Sequence, residues 1–182
     1  MFLELKNTTI GYKTPLIKGV QASLDIGDIC LMIGNNGVGK TTLVKSILRQ
    51  IPVLNGDIFI DGKNINNTSS EDIAKLISVV FSKGEIAQQY TVYDLIAFGK
   101  YIHYPYYFKL KKEDKLEILD IISNLHLEDF TNTYLHQLSD GNLQKAFIGR
   151  ALAQNSPIII LDEPTTHLDE DNKIMILKLL RN

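Results

Sequence analysis

The feature that most constrains this chain is an eight-residue phosphate-binding pattern. The segment Gly34-Asn35-Asn36-Gly37-Val38-Gly39-Lys40-Thr41 matches G-x-x-x-x-G-K-[S/T] in full. Its glycines let the backbone wrap closely around phosphate oxygens and point N–H groups at them. The ammonium of Lys40 can reach β- and γ-phosphates, and the hydroxyl of Thr41 can bind Mg²⁺. We therefore predict a nucleotide phosphate site at residues 34–42, with Thr42 as its last member.

The sequence around this pattern predicts how the chain folds. The strand predicted at Asp28–Ile33 is apolar at five consecutive positions, as in a strand buried on both faces. Apolar residues then recur at helical spacing from Leu43 to Leu48. Further strands are predicted at Phe2–Ile10, Val20–Ile26, Ile58–Ile60, Ile77–Phe81 and Pro157–Leu161, and further helices at Ser70–Leu76, Lys112–Leu125, Ser139–Gln154 and Asn172–Leu180. This alternation predicts an α/β fold with a mostly parallel core sheet.

Two carboxylates follow the last predicted strand. Four apolar residues, Ile158–Leu161, end in Asp162 and Glu163. A parallel strand delivers its C-terminal residues to the edge of the sheet where ligands bind. Asp162 can hold Mg²⁺, and Glu163 can then orient or deprotonate an attacking water. We predict that Asp162 is a metal-binding residue and that Glu163 and Lys40 are catalytic.

The composition excludes several other classes of protein. The chain has 182 residues, of which 45% are hydrophobic and 22% are charged, and these values rule out a disordered or fibrous chain. A net charge of −2 gives no electrostatic argument for a nucleic-acid partner, so none is predicted. No membrane span or signal peptide is visible, and we expect a cytoplasmic protein. The single cysteine, Cys30, lies in a predicted buried strand and is interpreted as a small core residue.

A third motif opens the predicted helix before the acidic pair. It reads Leu138-Ser139-Asp140-Gly141-Asn142. With the order and spacing of the other two motifs, it resembles the signature Leu-Ser-Gly-Gly-Gln of ATP-binding cassette (ABC) ATPases, from which Asp140 and Asn142 depart. Serine and the N–H groups at a helix start can face a γ-phosphate. The resemblance therefore assigns Ser139, Asp140, Gly141 and Asn142 to ATP binding.

The resemblance covers nearly the whole chain, from Phe2 to about Leu180. Tyr12 resembles the aromatic residue that stacks on adenine in the family, and Thr166–Asp169 resembles the loop that contacts a partner subunit. The resemblance implies a P-loop ATPase fold with an N-terminal antiparallel β part and a helical insert. We expect one ABC ATPase domain over residues 1–182, with its nucleotide-binding core at 1–84 and 136–182 and a helical subdomain at 85–135.

Two departures from the family pattern bear on activity. Ser82 stands where the family has a glutamine that touches Mg²⁺ and the attacking water, and a serine reaches less far. Ser82 is therefore assigned to the metal site, with a shorter side chain. The family's switch histidine follows one more strand, beyond Asn182. We expect that the chain is incomplete at its C-terminus and that alone it hydrolyses ATP weakly or not at all.

A tyrosine-rich segment indicates which ABC proteins the chain resembles most. The stretch Thr91–Tyr101 is similar to the ATPases of iron-chelate and vitamin B12 importers, and six of the eight tyrosines lie between Tyr90 and Tyr107. Tyrosine is enriched at protein interfaces. Two interpretations stay open: the segment docks the cytoplasmic loop of a permease, or its rings pack the helical insert.

The resemblance implies a mechanism in which two such domains pair head to tail. Each ATP, with Mg²⁺, would lie between Lys40 and Thr41 of one chain and Ser139 and Gly141 of the other, and Glu163 would act as the base. Such a protein powers import of an iron–siderophore, haem or cobalamin-like substrate through a separate permease, on the inner face of the membrane. The alternatives are a non-transport ABC ATPase and an ATP-binding regulatory module. About a hundred residues without heptads separate the loop from the signature, which favours a transporter.

Overall fold

The structure is a computed structural model that describes residues 1–81, 89–104, 109–163 and 170–181. The chain divides into two compact units, Met1–Ile77 and Ser78–Asn182. Each unit has its own buried side chains, and each is described separately below.

The first unit is built on a four-stranded antiparallel sheet. Its strands are β1 (Leu3–Gly11), β2 (Pro15–Leu24), β3 (Asn55–Ile60) and β4 (Lys63–Asn64), in the order β2-β1-β3-β4. β1 lies inside the sheet, with Leu5 opposite Ala22 on β2 and Ile58 on β3. Its alternate side chains Leu3 and Leu5 are buried, as period-two patterning requires. The predicted N-terminal antiparallel part is confirmed.

Two helices complete this unit. α1 (Lys40–Ile47) buries Leu43, Val44 and Ile47, which share one face at helical spacing, and it contacts β1. α2 (Ser70–Leu76) begins where the Ser69 hydroxyl accepts a hydrogen bond from the amide of Asp72. The bounds of α2 agree with the sequence prediction because its cap and its periodicity are both local signals.

The strand predicted at Asp28–Ile33 is wrong. Within the described residues this segment belongs to no strand, and its apolar side chains are exposed, from 42% at Met32 to 85% at Ile33. The sheet of the first unit consists of β1–β4 and gives this segment no neighbour. A strand needs a neighbour for its N–H and C=O groups, so apolar sequence alone does not form one. The interpretation of Cys30 as a core residue is wrong for the same reason, since its side chain is exposed.

The second unit contains a two-stranded sheet, β5 (Ile77–Val80) with β6 (Ile158–Leu161). The amide of Asp162 extends this pairing by donating to the Val80 carbonyl at 2.8 Å. All four β6 side chains are half-buried. In the described residues the expected larger core sheet is represented by these two strands.

Four helices pack with this sheet around one core. They are α3 (Val92–Ala97), α4 (Lys112–Asn124), α5 (Asp140–Ala153) and α6 (Glu170–Arg181). The core holds fully buried side chains from each of them, namely Leu95, Ile96, Ile118, Ile122, Ile148, Ala151 and Ile176. α3 begins with a capping box, in which Thr91 and Asp94 each bind the backbone of the other. Between residues 89 and 135, the described residues form helices, turns and one isolated bridge, as predicted.

The buried face of α4 is narrower than its set of apolar residues. Ile118, Ile122 and Leu125 are buried, whereas Leu116 and Leu119 are exposed. Successive helical residues turn by about 100°, so a stripe near that width is all that one packed face can bury. Leu116 and Leu119 fall outside this stripe.

The 3₁₀ segment Phe98–His103 is fixed between α4 and α5. A Cβ atom on Gly99 would lie 2.3 Å from the Arg150 carbonyl oxygen of α5, so only glycine allows this approach. The next residue, Lys100, pairs with Glu117 of α4 at 2.6 Å, and the side chains are 6% and 45% exposed. The Tyr104 hydroxyl then donates to the Asp114 carboxylate, which lowers the pKa of Asp114 and raises that of Tyr104.

Candidate functional site

The phosphate loop closes around its own lysine. The Lys40 ammonium donates to the carbonyl oxygens of Gly34 at 2.7 Å and of Asn35 at 3.1 Å. The amide of Val38 donates to the Asn35 carbonyl at 3.3 Å, which tightens the turn. A positive charge therefore lies on the concave side of the loop, where it can reach anionic phosphate oxygens.

Two glycines give the loop its shape. Gly37 has a φ of 81° and Gly39 a φ of 109°, values that side-chain-bearing residues rarely adopt. Gly39 is also packed closely, because a Cβ atom there would lie 3.2 Å from Ile17 Cδ1 and 3.6 Å from Leu16 Cβ on β2. The glycines of the motif are therefore required by backbone angle and, at Gly39, by space.

The start of α1 is open to an anion. Its N-cap is Gly39, no side chain in the described part of the chain caps it, and its first turn holds no acidic residue. The first amides of a helix have no partner within the helix, and the helix dipole places positive charge there. Thr41 is exposed on this turn, whereas Thr42 is buried. Asn36 and Val38 are exposed in the loop before it.

Tyr12 lies in the first unit, in the turn that leads into the strand contacting the phosphate loop. It follows β1 in the turn to β2, and its side chain is 62% exposed. The first residues of β2, Leu16 and Ile17, are those that pack against Gly39. An exposed aromatic ring is able to stack on a nucleotide base, which is the role that the family resemblance implies for Tyr12.

In the second unit the acidic pair follows β6. Asp162 is buried, and its backbone amide is held by the Val80 carbonyl of β5. Glu163 is exposed and has a φ of 55°, in the left-handed region that non-glycine residues seldom occupy. Strained backbone of this kind concentrates at functional sites. Asp162 is thus fixed and inward, and Glu163 is presented to solvent by a sharp change in backbone direction.

The signature motif forms the N-terminus of α5. The Ser139 hydroxyl accepts a hydrogen bond from the amide of Asn142 at 3.3 Å, so Ser139 is the N-cap of the helix. Ser139 and Asp140 are exposed, and Gly141 and Asn142 are half-buried. The carboxylate of Asp140 stands in the first turn, where it interacts favourably with the helix dipole and repels an incoming anion.

The predicted site residues therefore fall into two sets. The first unit brings together the turn of Tyr12 and residues 34–42, and the second unit carries Asp162, Glu163 and the signature motif. Ser82 and the segment Thr166–Asp169 lie outside the described residues.

One polar contact near the acidic pair was not predicted from the sequence. Arg150 of α5 donates from Nη2 to the Val79 carbonyl of β5 at 2.9 Å. The guanidinium is mostly buried, and this burial lowers the pKa of Arg150. The sequence does carry a sign that Arg150 is buried, because its neighbours on α5 include the small or apolar residues Phe147, Ala151 and Ala153.

The metal-binding chemistry of these residues suits Mg²⁺. Asp162 supplies a carboxylate and Thr41 a hydroxyl, both hard oxygen donors. Among the described residues no three His, Cys, Asp or Glu side chains form a metal-binding group. Mg²⁺ commonly takes one or two protein oxygens and completes its shell with substrate phosphates and water, so a small donor set fits it.

A phosphate loop at a helix start and an acidic pair after a strand define a P-loop nucleoside triphosphatase. Comparison with known proteins identifies the family. Residues 17–166 match the family model for ABC transporters, so the chain belongs to the ABC transporter family. None of the described helices has the length and hydropathy that crossing a bilayer requires.

Two curated relatives illustrate this membership. The petrobactin import ATP-binding protein YclP of Bacillus subtilis is 35% identical over 181 residues, which cover 98% of this chain and 71% of the relative. The ferric enterobactin transport ATP-binding protein FepC of Escherichia coli is 31% identical over 179 residues, which cover 98% of this chain and 66% of the relative.

Solved structures agree with the sequence comparison. The ATP-binding cassette MJ0796, dimeric in a post-hydrolysis state with ADP and Pi, is 28% identical and superimposes with a TM-score of 0.84. The match covers 98% of this chain and 81% of that chain. The predicted ABC ATPase fold is confirmed, and the chain is an ATP-binding protein of the ABC ATPase class.

Proposed function

We propose that this chain is the ATP-hydrolysing subunit of an importer for iron–siderophore chelates. The observation that carries the proposal is the intact phosphate loop, with the Lys40 ammonium held on its concave side. The choice of cargo is supported by relatives named for import of petrobactin and of ferric enterobactin. Haem and cobalamin-like chelates are the alternative cargoes. The proposed domain limits are those of the sequence prediction, with a helical subdomain at 85–135.

In this proposal each site residue has a definite role in binding or hydrolysing ATP. Lys40 and the first amides of α1 bind the β- and γ-phosphates, and Tyr12 stacks on adenine. Glu163 accepts a proton from the attacking water as its oxygen bonds to the γ-phosphorus and the bond to ADP breaks. Asp162 and Thr41 would each offer an oxygen to Mg²⁺, which when bound would supply positive charge that offsets the charge on the phosphates. Ser82 would be a further metal-binding residue, with a shorter side chain than the glutamine usual in the family.

The proposed partners are a second copy of the chain and a membrane permease. A head-to-tail dimer would place Ser139 and Gly141 of one copy over the ATP of the other, and the dimeric relative MJ0796 supports such pairing. We propose that the permease docks at the tyrosine-rich segment, where Tyr101 is exposed. Docking there would keep the protein on the inner face of the membrane.

The role of Glu163 is tested by Glu163→Gln in the full-length protein assembled with its permease. We expect Mg-ATP affinity within about twofold of wild type and a loss of turnover of at least about a hundredfold, the usual contribution of a general base. Glu71→Gln, the same change at an exposed residue that pairs with Lys75, is the matched control and should keep full turnover. Turnover at the wild-type rate in Glu163→Gln would refute the assignment.

The cargo is tested by transport in cells. A strain carrying Lys40→Ala should lose uptake of ⁵⁵Fe–siderophore complexes and keep uptake of haem and cobalamin. Selective loss of haem or cobalamin uptake would replace the proposed cargo with that alternative. No loss of any uptake would favour a non-transport ABC ATPase or a regulatory module.

A further inference from the structure

The contact that the sequence did not predict lies between Arg150 and the strand that supports the acidic pair. The guanidinium of Arg150 is mostly buried, yet among the described residues it pairs with no carboxylate. Its Nε atom is also buried, and within the described residues this atom has no hydrogen-bond partner. Burying a cation without a counter-charge is unfavourable, so a residue of similar length without charge would fill this space at lower cost.

In the part of the chain that the structure describes, this guanidinium donates a hydrogen bond to the carbonyl of Val79 at 2.9 Å. Successive carbonyls of a strand point to opposite sides within the sheet. The next carbonyl, that of Val80, accepts the amide of Asp162 beyond the end of β6. The Val79 carbonyl therefore points away from β6, and Arg150 supplies the donor that a neighbouring strand would otherwise give to this edge of β5.

These two bonds form one continuous connection. Arg150 holds Val79, the peptide chain leads directly to Val80, and Val80 holds the backbone of Asp162. Glu163, with its left-handed backbone, follows Asp162 immediately. All of these residues lie in the second unit, so the whole connection is contained in one compact unit.

From this connection we propose that Arg150 is a positioning residue for the acidic pair. It fixes the end of β5, and through the Val80 carbonyl it sets the backbone position of Asp162 and Glu163. Ser139 begins the same helix, about 16 Å away at about 1.5 Å per residue, so α5 also joins this position to the signature motif. The inference rests on the proposed roles of Asp162 in holding Mg²⁺ and of Glu163 as the base.

The test is steady-state ATP hydrolysis by the full-length protein assembled with its permease, with ATP and Mg²⁺ varied separately. In Arg150→Met, which keeps the length and removes the donors, we expect kcat to fall at least about tenfold while KM for ATP stays within about twofold. The Mg²⁺ concentration for half-maximal rate should rise at least about threefold, because Asp162 is displaced. Arg150→Lys keeps the charge and one donor, and we expect about a third of this effect on kcat.

The matched control is Arg49→Met. Arg49 also donates to a backbone carbonyl, that of Thr68, but it is exposed and lies in the first unit. This variant should keep kcat, KM and the Mg²⁺ dependence within about twofold of wild type. A purely structural role of Arg150 would lower the melting temperature without moving the Mg²⁺ dependence.

The inference is overturned if Arg150→Met keeps wild-type kcat and Mg²⁺ dependence, or if only its melting temperature changes. If Arg150→Met does not fold, Arg150→Lys decides in the same way by its Mg²⁺ dependence. Glu163→Gln, assayed in parallel, separates the two proposals. Wild-type turnover in Glu163→Gln refutes the proposed function, whereas loss of turnover there with no effect at Arg150 refutes this inference alone.

Discussion

Replacing Gly37 by alanine should lower the stability of the protein, its affinity for ATP, or both, through backbone strain alone. Gly37 has a φ of 81°, and a Cβ atom added there meets no other atom within 4 Å. The substitution therefore introduces no clash, and its whole effect comes from forcing an alanine into a left-handed conformation. Gly39 is less suitable for this purpose, because a Cβ atom there would also approach Ile17 Cδ1 at 3.2 Å.

The magnitude follows from the cost of that conformation. A non-glycine residue with left-handed backbone is destabilised by about 1–2 kcal/mol. If the loop keeps its shape, this amount is lost from the free energy of unfolding. If the loop relaxes to another shape, ATP binding must restore it, and at about 1.4 kcal/mol per tenfold the dissociation constant rises about 5- to 25-fold. The loss of unfolding free energy and the loss of ATP-binding free energy should together equal the free energy of the backbone strain.

Gly62 provides a matched control for strain outside the loop. It lies in the turn between β3 and β4, has a φ of 71°, and has nothing within 4 Å of an added Cβ atom. Gly62→Ala should lower stability by about 1–2 kcal/mol and leave ATP affinity unchanged. The effect of alanine on the unfolded chain is common to both variants and cancels in the comparison.

The assay combines urea unfolding with calorimetric titration of Mg-ATP, and Lys40→Ala serves as the non-binding reference. The reasoning is refuted if Gly37→Ala has wild-type stability and wild-type ATP affinity. It is equally refuted if Gly62→Ala weakens ATP binding as much as Gly37→Ala does, since strain would then act independently of the loop.

Two further predictions concern charged groups. Glu117→Gln should destabilise the protein by about 1–3 kcal/mol, because it leaves Lys100 buried without its counter-charge. Lys100→Met should cost less than about 1 kcal/mol, because Glu117 is already half exposed. Urea unfolding measures both losses, and a larger loss in Lys100→Met than in Glu117→Gln would contradict this argument. Asp140→Gly should tighten ATP-dependent dimerisation, since it removes a negative charge from the helix start that we propose faces phosphate, and lower stability by about 0.3–1 kcal/mol through loss of the dipole interaction. Light scattering with and without ATP tests it, and weaker dimerisation would count against a phosphate-facing role.

Local signals in the sequence predicted local structure well. The capping box at Thr91 and Asp94, and the helix at Ser70–Leu76, are set by residues within one turn of each other. The phosphate loop belongs to the same class, because its glycines and Lys40 interact within eight residues. Sequence periodicity also identified β1, where alternate buried side chains follow the pleat of the strand.

Predictions that depended on distant partners were less successful. The apolar run at Ile29–Ile33 states that these residues favour burial, but it does not name the strand that would bury them, and in the described residues they are exposed. Leu116 and Leu119 are likewise apolar but exposed, because the neighbouring helices set the width of the packed face of α4. Periodicity gives the side chains that can be buried, and the partner decides which of them are.

The acidic pair combines both kinds of information. Its residue types and its place after an apolar run are visible in the sequence, and they are the basis for predicting a metal-binding and a catalytic carboxylate. The backbone position of Asp162 depends instead on the Val80 carbonyl, and the conformation of β5 depends on a donor from Arg150, 71 residues away from Val79 in the sequence. A catalytic base must lie within hydrogen-bonding reach of the water that it activates, so small displacements of this backbone reduce the rate. The chemistry of the site is therefore readable from the motif, whereas its rate is controlled partly by a residue outside every motif.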